Sequence, residues 1–131
     1  MKRIRFTFLL SCLAAAAPVA AGAQRAAQSR GLWIGPVPAC AGTVAGVTIG
    51  ADEFGAQLNV NMTFRPAWRE ALGRETSRQV GRPMIMRLDG RTISSPIVRE
   101  AITGGVIALA GFTPRQAERV RAAALRPCAR R

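Results

Sequence analysis

The chain of 131 residues is long enough for one domain, and its 19 basic against 7 acidic side chains give a net charge of +12. It contains no histidine, which excludes Ser–His and Cys–His catalytic pairs and removes the commonest metal ligand. The basic residues are spread along the chain with few aromatic side chains among them. We therefore expect a solvated basic surface and no nucleic-acid partner.

The first 23 residues follow the order of a secretory signal peptide. A basic start, MKRIRF, precedes an alanine-rich apolar run, and Ala-Gly-Ala at 21–23 is a small-x-small cleavage site. Cleavage after Ala23 would remove three basic residues and lower the charge to +9, with every remaining basic residue an arginine. An uncleaved membrane anchor and a lipoprotein site at Cys12 are the alternatives. We expect a periplasmic or secreted protein.

Two cysteines follow the predicted cleavage site, Cys40 and Cys128. In an oxidising compartment an isolated pair most simply forms one disulfide, and two free thiols are the alternative. Closing so long a loop would stabilise the fold by roughly 4–5 kcal/mol in the chain-entropy account. The chain has no Cys-x-x-Cys motif, so a redox-active role is not supported.

Residues 24–42 are polar at first and are then punctuated by glycine and proline. This composition predicts a linker or N-terminal tail, with Trp33 and Ile34 docking onto the domain that follows. We place that domain at 43–127 and a basic C-terminal tail at 128–131.

The domain is predicted to begin with a β-hairpin. Residues 43–50 favour a strand, 51–56 a turn, and 57–64 alternate apolar and polar side chains. The alternation gives the second strand a buried face with three apolar side chains, those of Leu58, Val60 and Met62. A helix is predicted next, over 65–81, with Pro66 in its first turn and Gly81 at its end.

Two strands flank Asp89-Gly90, a pair typical of a type I′ turn in which both residues take positive φ. The turn predicts a register in which Leu88 opposes Arg91 and Met86 opposes Ile93. One face of this hairpin is apolar and should meet the core: Met84, Met86, Leu88 and Ile93. The other face carries Ile85, Arg87, Thr92 and Ser94. Pro96 cannot donate to a sheet ladder, so it ends the pairing or lies at an edge.

The last predicted elements are a strand and a helix. Gly104 and Gly105 form a turn before an apolar strand at 106–110. Thr113 is the predicted N-cap of the final helix, with Pro114 in the first turn and Gln116 three residues on. The order of elements predicts an α+β fold, with an antiparallel sheet of about five strands and two helices on one face, ferredoxin-like or similar.

Two stretches, VGRPMIMRLDGRTISSPIVREAITGG at 80–105 and GFTPRQAERVRAAALRP at 111–127, resemble the head subdomain of the first periplasmic region of SecD, in the SecDF protein-export family. That family shows a Leu-Asp-Gly turn, an Ile-x-Gly-Gly turn and a glycine with Phe-Thr ahead of a helix. The matching turn and structural positions are Gly81, Asp89, Gly90, Pro96, Gly104, Gly105 and Gly111. The cysteine pair is an addition to the family pattern.

The resemblance implies an exported, non-enzymatic module that holds translocating or unfolded polypeptide in the cell envelope. Its partners would be that polypeptide or components of the export machinery. The predicted contact surface is the hairpin face with Ile85, Arg87, Thr92 and Ser94, and a merely solvated face is the alternative. Two other functions stay open: a basic module with weak contacts to anionic membrane surfaces, and a structural domain without a transport role.

The residues predict no catalytic or metal site. No lysine remains after the predicted cleavage site, so a Ser–Lys pair is excluded as well. The seven acidic residues show no pair that converges across a cleft, and no glycine-rich phosphate loop occurs. We expect neither enzyme activity nor a cofactor.

Overall fold

A computed structural model describes residues 30–53 and 55–129. The predicted signal peptide, its cleavage site and the alternative lipoprotein site at Cys12 lie outside the described residues. The described part contains seven strands and two helices: β1 (Leu32–Ile34), β2 (Val37–Ala39), β3 (Val44–Ala51), β4 (Leu58–Phe64), α1 (Pro66–Gln79), β5 (Met86–Leu88), β6 (Arg91–Ser94), β7 (Val106–Phe112) and α2 (Pro114–Leu125).

The strands form two antiparallel sheets. One has four strands in the order β2-β1-β5-β6, and the other has three in the order β3-β4-β7. Helix α2 packs on the three-stranded sheet and reaches β1, whereas α1 contacts β2. The predicted α+β class, with antiparallel strands and two helices, is confirmed. The seven strands are divided between two sheets where we expected about five in one, and each helix has its own packing site.

The N-terminal hairpin accounts for the two strands that the sequence did not predict. Residues 24–42 were expected to be a linker, but β1 and β2 lie within them and are buried, with Ile34 fully so. The turn between them is Gly35-Pro36, where Gly35 has φ +56 and donates its N–H to the Ile85 carbonyl at 2.9 Å. Strands of three residues are too short for a two-residue period to show, so glycine and proline in this stretch mark a tight turn instead of a linker.

The Asp89-Gly90 turn has the predicted conformation, with φ +48 at Asp89 and +80 at Gly90. The register begins as predicted, because Leu88 pairs with Arg91. A bulge after that point places Met86 opposite Ser94, so the predicted Met86–Ile93 pair is wrong. A bulge adds one residue to one strand and shifts every later pair, and neither strand carries a sequence mark for it.

The two helices bury different amounts of apolar surface. Helix α2 begins with the predicted capping box, in which the Thr113 side chain accepts from the Gln116 N–H and the Gln116 side chain accepts from the Thr113 N–H. It buries a stripe of small apolar residues: Ala117, Val120, Ala123 and Ala124. Helix α1 buries Leu72, Gly73 and Thr76, which makes its buried face narrow.

Three contacts join the two ends of the described chain. The predicted disulfide between Cys40 and Cys128 is present, and it links the end of β2 to the segment after α2. Asp89 lies close by, where one carboxylate oxygen accepts from the Gly31 N–H at 2.8 Å and the other lies 3.5 Å from the Arg126 guanidinium. The turn between β5 and β6 is therefore held to both ends at once.

Candidate functional site

Strand β7 lies at the edge of the three-stranded sheet. It pairs with β4 on one side, and no strand pairs with its other side in the described part of the chain. None of the backbone hydrogen bonds between separate elements reaches Val106–Phe112 within the described ranges. The strand carries no proline and no charged side chain. Exposed edges of this kind are open to pairing with another extended chain.

An apolar groove of about 250 Å³ lies beside the first half of β7, and we call it the β7 groove. It is lined by residues of β5, of β7 and of the segments before these two strands: Met84, Met86, Pro96, Ile97, Val98, Arg99, Glu100, Ile102, Val106, Ile107, Ala108 and Leu109. Both methionines, Ile107 and Leu109 are buried, whereas Ile97 and Val106 are 56% and 53% exposed. The groove thus has an apolar floor, and its solvent-exposed rim combines Ile97 and Val106 with the charged side chains of Arg99 and Glu100.

Backbone hydrogen bonds hold the segment opposite β7. The Pro96 carbonyl accepts from the Met84 N–H at 2.9 Å, and the Val98 N–H donates to the Arg82 carbonyl at 3.0 Å. Because these bonds tie residues 96–98 to the chain before β5, this wall of the groove moves with the four-stranded sheet.

Helix α1 fixes the other end of the same wall. The Thr76 hydroxyl accepts from the Ile102 N–H at 2.8 Å and donates back to the Leu72 carbonyl at 2.8 Å. Thr76 is fully buried, so its hydroxyl depends on these protein partners for its hydrogen bonds. This threonine was not singled out from the sequence, where its neighbours in the helix give no sign of a partner 26 residues away.

A glycine turn sets where β7 begins. Gly105 has φ +73, its carbonyl accepts from the Phe64 N–H at 2.7 Å, and the Arg69 side chain lies where a Cβ would stand. Since a side chain at Gly105 would meet both a strained backbone and Arg69, the turn requires glycine. The turn directs the chain from the groove wall into the edge strand.

The four residues of the predicted contact face lie in different surroundings. Arg87 and Thr92 are paired across β5 and β6. Ile85, 42% exposed, lines a separate shallow groove with Glu75 and Gln79 of α1. Ser94 lies beyond the bulge, opposite Met86. Arg87 therefore lies beside Thr92 across the two strands and beside Ile85 in the shallow groove, whereas Ser94 is displaced by the bulge. The contact role of all four stays a prediction.

The other motif residues lie at turns or near the ends of strands. Gly81 follows α1 at φ +78, Gly111 lies near the end of β7 at φ +89, and Gly104 precedes the Gly105 turn. Pro96 lies just after β6, as expected of a residue that cannot donate to the ladder.

The charged side chains offer no catalytic arrangement among the described residues. Three ion pairs link neighbouring helix turns, Glu70 with Arg74, Glu75 with Arg78 and Glu118 with Arg121, and the first and last of them are exposed. Across residues 30–53 and 55–129, no three acidic or cysteine side chains come together as a metal site would require. No helix in these ranges combines the length and the apolar character needed to cross a membrane.

The family of the chain follows from a comparison with known proteins. The family model described as SecDF, P1 head subdomain matches residues 28–129. The chain belongs to this family. The match begins before β1, so the SecDF head includes the N-terminal hairpin that the sequence motifs did not indicate.

Individual SecDF proteins support the assignment. The protein translocase subunit SecDF of Thermus thermophilus is 34% identical over 62 residues, which are 47% of this chain and 8% of that protein. A solved structure described as a membrane component SecDF that enhances protein export has a TM-score of 0.57 at 27% identity, covering 64% of this chain and 38% of that one. A SecDF crystal structure in a super-membrane-facing form has a TM-score of 0.58 at 27% identity, covering 67% of this chain and 12% of the other. The chain thus spans a small part of these SecDF proteins.

The SecDF motifs and the β7 groove are related in position. The Ile-x-Gly-Gly turn, at Ile102 to Gly105, leads directly into β7. The motif therefore marks the segment that builds the groove wall and starts the edge strand. The sequence shows the turn, but the open edge of β7 depends on which strands pair, and that cannot be read from one strand alone.

Proposed function

We propose that this SecDF head domain holds extended, unfolded polypeptide in the β7 groove, as an export accessory module in the cell envelope. The observation that supports this most is the uncharged free edge of β7 beside an apolar groove. A solved relative is described as a membrane component that enhances protein export. The export machinery is accordingly the setting in which we place this domain.

The edge of β7 suits a client of any sequence. An extended chain that adds to a sheet edge is held by main-chain hydrogen bonds, which make little demand on side chains. Strand β7 has seven residues, enough to pair with a short stretch of client. No existing bond at its outer edge, within the described residues, has to break first.

The groove suits the side chains of such a client. Alternate residues of an added strand point to one face, where Met84 and Met86 form the floor. Methionine side chains are unbranched and adapt to differently shaped apolar partners. The exposed Ile97 and Val106 add apolar contact at the rim. Two Met residues and an uncharged edge together favour weak, broad recognition of unfolded chains.

The test is fluorescence anisotropy of an unfolded reporter polypeptide with an amidated C-terminus, at low and high salt. We expect binding that persists at high salt, because apolar contacts and main-chain bonds are not screened as charge pairs are. Val106→Asp should weaken this binding at least tenfold, because it places a charge on the rim of the groove. Binding at low salt alone would refute the proposal and favour the anionic-surface alternative.

The chain offers two matched controls for Val106→Asp. Leu125→Asp places the same charge at a residue of α2 that is 53% exposed and outside the groove, and it should leave the affinity unchanged. Ile85→Asp tests the hairpin face predicted from the sequence. If Ile85→Asp weakens binding and Val106→Asp does not, the contact surface is that face and the β7 groove is excluded.

A further inference from the structure

A second groove, of about 190 Å³, lies between β6 and α2, and we call it the β6–α2 groove. Its floor is apolar, formed by the buried Leu88, Phe112 and Val120. Its polar lining consists of Thr92, Gln116 and Arg119. Strand β6 is the outermost strand of the four-stranded sheet, and β5 is its one strand partner in the described residues. The groove therefore lies between a free strand edge and a helix.

The charge in this groove is positive and unbalanced. None of the residues that line it is acidic. The four ion pairs found among residues 30–53 and 55–129 do not include Arg119, and the nearest acid in sequence, Glu118, pairs with Arg121. Arg115 lies one helical turn before Arg119, on the same side of α2. A carboxylate is the group that such a cationic rim would attract.

Two neutral donors accompany the guanidinium. The Gln116 carbonyl oxygen is occupied because it accepts from the Thr113 N–H at 2.9 Å. This bond fixes the side chain and leaves its NH2 group free to donate. None of the side-chain hydrogen bonds among the described residues involves the Thr92 hydroxyl. Arg119, Gln116 and Thr92 thus offer donors above an apolar floor.

The size of the groove limits what enters it. Pockets for whole drug-sized ligands hold roughly 300–1,000 Å³, so a space of about 190 Å³ fits one apolar side chain. A ligand with one apolar side chain, one carboxylate and a main chain that can pair with a strand edge is the C-terminal residue of a polypeptide.

We propose that the β6–α2 groove binds the free C-terminus of a polypeptide that ends in an apolar residue. The last side chain occupies the floor, the carboxylate receives hydrogen bonds from Arg119 and Gln116, and the preceding residues pair with the free edge of β6. This site goes beyond the proposed function, because it uses a different groove and recognises a chain end where the β7 groove takes internal segments.

The test compares two forms of one short peptide that ends in leucine, one with a free C-terminal carboxylate and one with a C-terminal amide. Each is labelled at its N-terminus, and its affinity for the purified chain is measured by anisotropy at moderate salt. We expect the carboxylate form to bind about fivefold more tightly than the amide, the upper end of what an ion pair contributes when its arginine, here Arg119, is exposed. Equal affinities of the two forms would overturn the proposal.

Matched variants separate this site from general charge. Arg119→Gln should abolish the preference for the carboxylate. Arg82→Gln removes the same charge at an exposed arginine after α1 that lies outside the groove, and the preference should persist. If Arg82→Gln removes the preference as fully as Arg119→Gln does, the net charge is responsible and the site is refuted.

Two further measurements test whether the peptide main chain contributes to binding and whether this groove acts separately from the β7 groove. Hexanoate carries a carboxylate and an apolar group but no main chain, so we expect it to displace the peptide poorly. If hexanoate competes as well as the peptide does, pairing with β6 is overturned. Val106→Asp, which tests the β7 groove, should leave the preference for the carboxylate unchanged, so the two proposals fail independently.

Discussion

Thr76 provides a sharp test of how the groove wall is built. In the wild type the Thr76 hydroxyl oxygen lies 2.8 Å from the Ile102 amide nitrogen and accepts its hydrogen bond. In Thr76→Val the side chain keeps nearly the same volume but cannot accept this bond. Since Thr76 is fully buried, that N–H would be left without a partner. A buried donor that loses its acceptor destabilises a protein by about 1–3 kcal/mol. The Leu72 carbonyl is less affected, because as a helical carbonyl it also accepts within the helix.

The free energy of unfolding of the Thr76→Val protein is measured by urea denaturation, with Ser77→Ala as the control. Ser77 lies next in the same helix but is exposed, and its hydroxyl bonds only to the Gly73 carbonyl, so its loss should change stability by less than about 0.5 kcal/mol. Native-state hydrogen exchange then localises the effect. The Ile102 amide should lose protection in Thr76→Val and keep it in Thr76→Ser, which retains the hydroxyl.

Two results would refute this reasoning about Thr76. One is an unchanged stability in Thr76→Val, within about 0.5 kcal/mol of the wild type. The other is continued protection of the Ile102 amide in that variant. Either would mean that the segment before β7 is held by its apolar contacts and not by the threonine.

Substitutions at three places in the chain test the turns and the disulfide. The double variant Cys40→Ser, Cys128→Ser should have a free energy of unfolding about 4–5 kcal/mol lower than the wild type, because the disulfide spans 88 residues of sequence. The value is measured by urea denaturation, and a loss under about 1 kcal/mol would contradict the loop-closure account. Asp89→Asn should lower the free energy of unfolding by about 1 kcal/mol or less, since the ion pair with Arg126 is half exposed. Asp89→Val should lower it by about 1–2 kcal/mol more, because valine does not readily adopt the φ of +48 at this position. Equal losses of stability in thermal denaturation would show that the turn tolerates any residue. Gly105→Ala should lower the melting temperature by several degrees, because a Cβ there would meet the Arg69 side chain. Gly104→Ala should leave the melting temperature nearly unchanged, because the space around a Cβ at Gly104 is open. Similar shifts in the two variants would exclude a special role for Gly105.

Local patterns predicted those parts of the fold that depend on neighbouring residues. The Asp-Gly pair at 89–90 predicted a turn with two positive φ angles, and Thr113 with Gln116 predicted a capping box; both are present. Such features depend on a few adjacent residues and on backbone sterics, so one sequence is enough to find them. The buried faces of β4 and β5 followed from alternation for the same reason.

Features that depend on distant residues could not be predicted in this way. Strands β1 and β2 have three residues each. Strand β1 is buried by β5 and α2, and β2 is buried by β1 and α1, rather than by any pattern of their own. The bulge opposite Met86 and the hydrogen bond between Thr76 and Ile102 likewise arise from tertiary contacts. The β7 groove and the β6–α2 groove both depend on strand order, which follows from pairings across the chain.

The position of the disulfide has a mechanical consequence. A force that pulls the chain apart from its two flanks, at Arg30 and Ala129, would first strip β1 and β2, which precede Cys40. The load would then pass through the covalent bond to Cys128, and residues 41–127 would bear none of it. Both grooves lie mainly within that closed segment. A force on the two flanks therefore bypasses the covalently closed segment that carries both grooves.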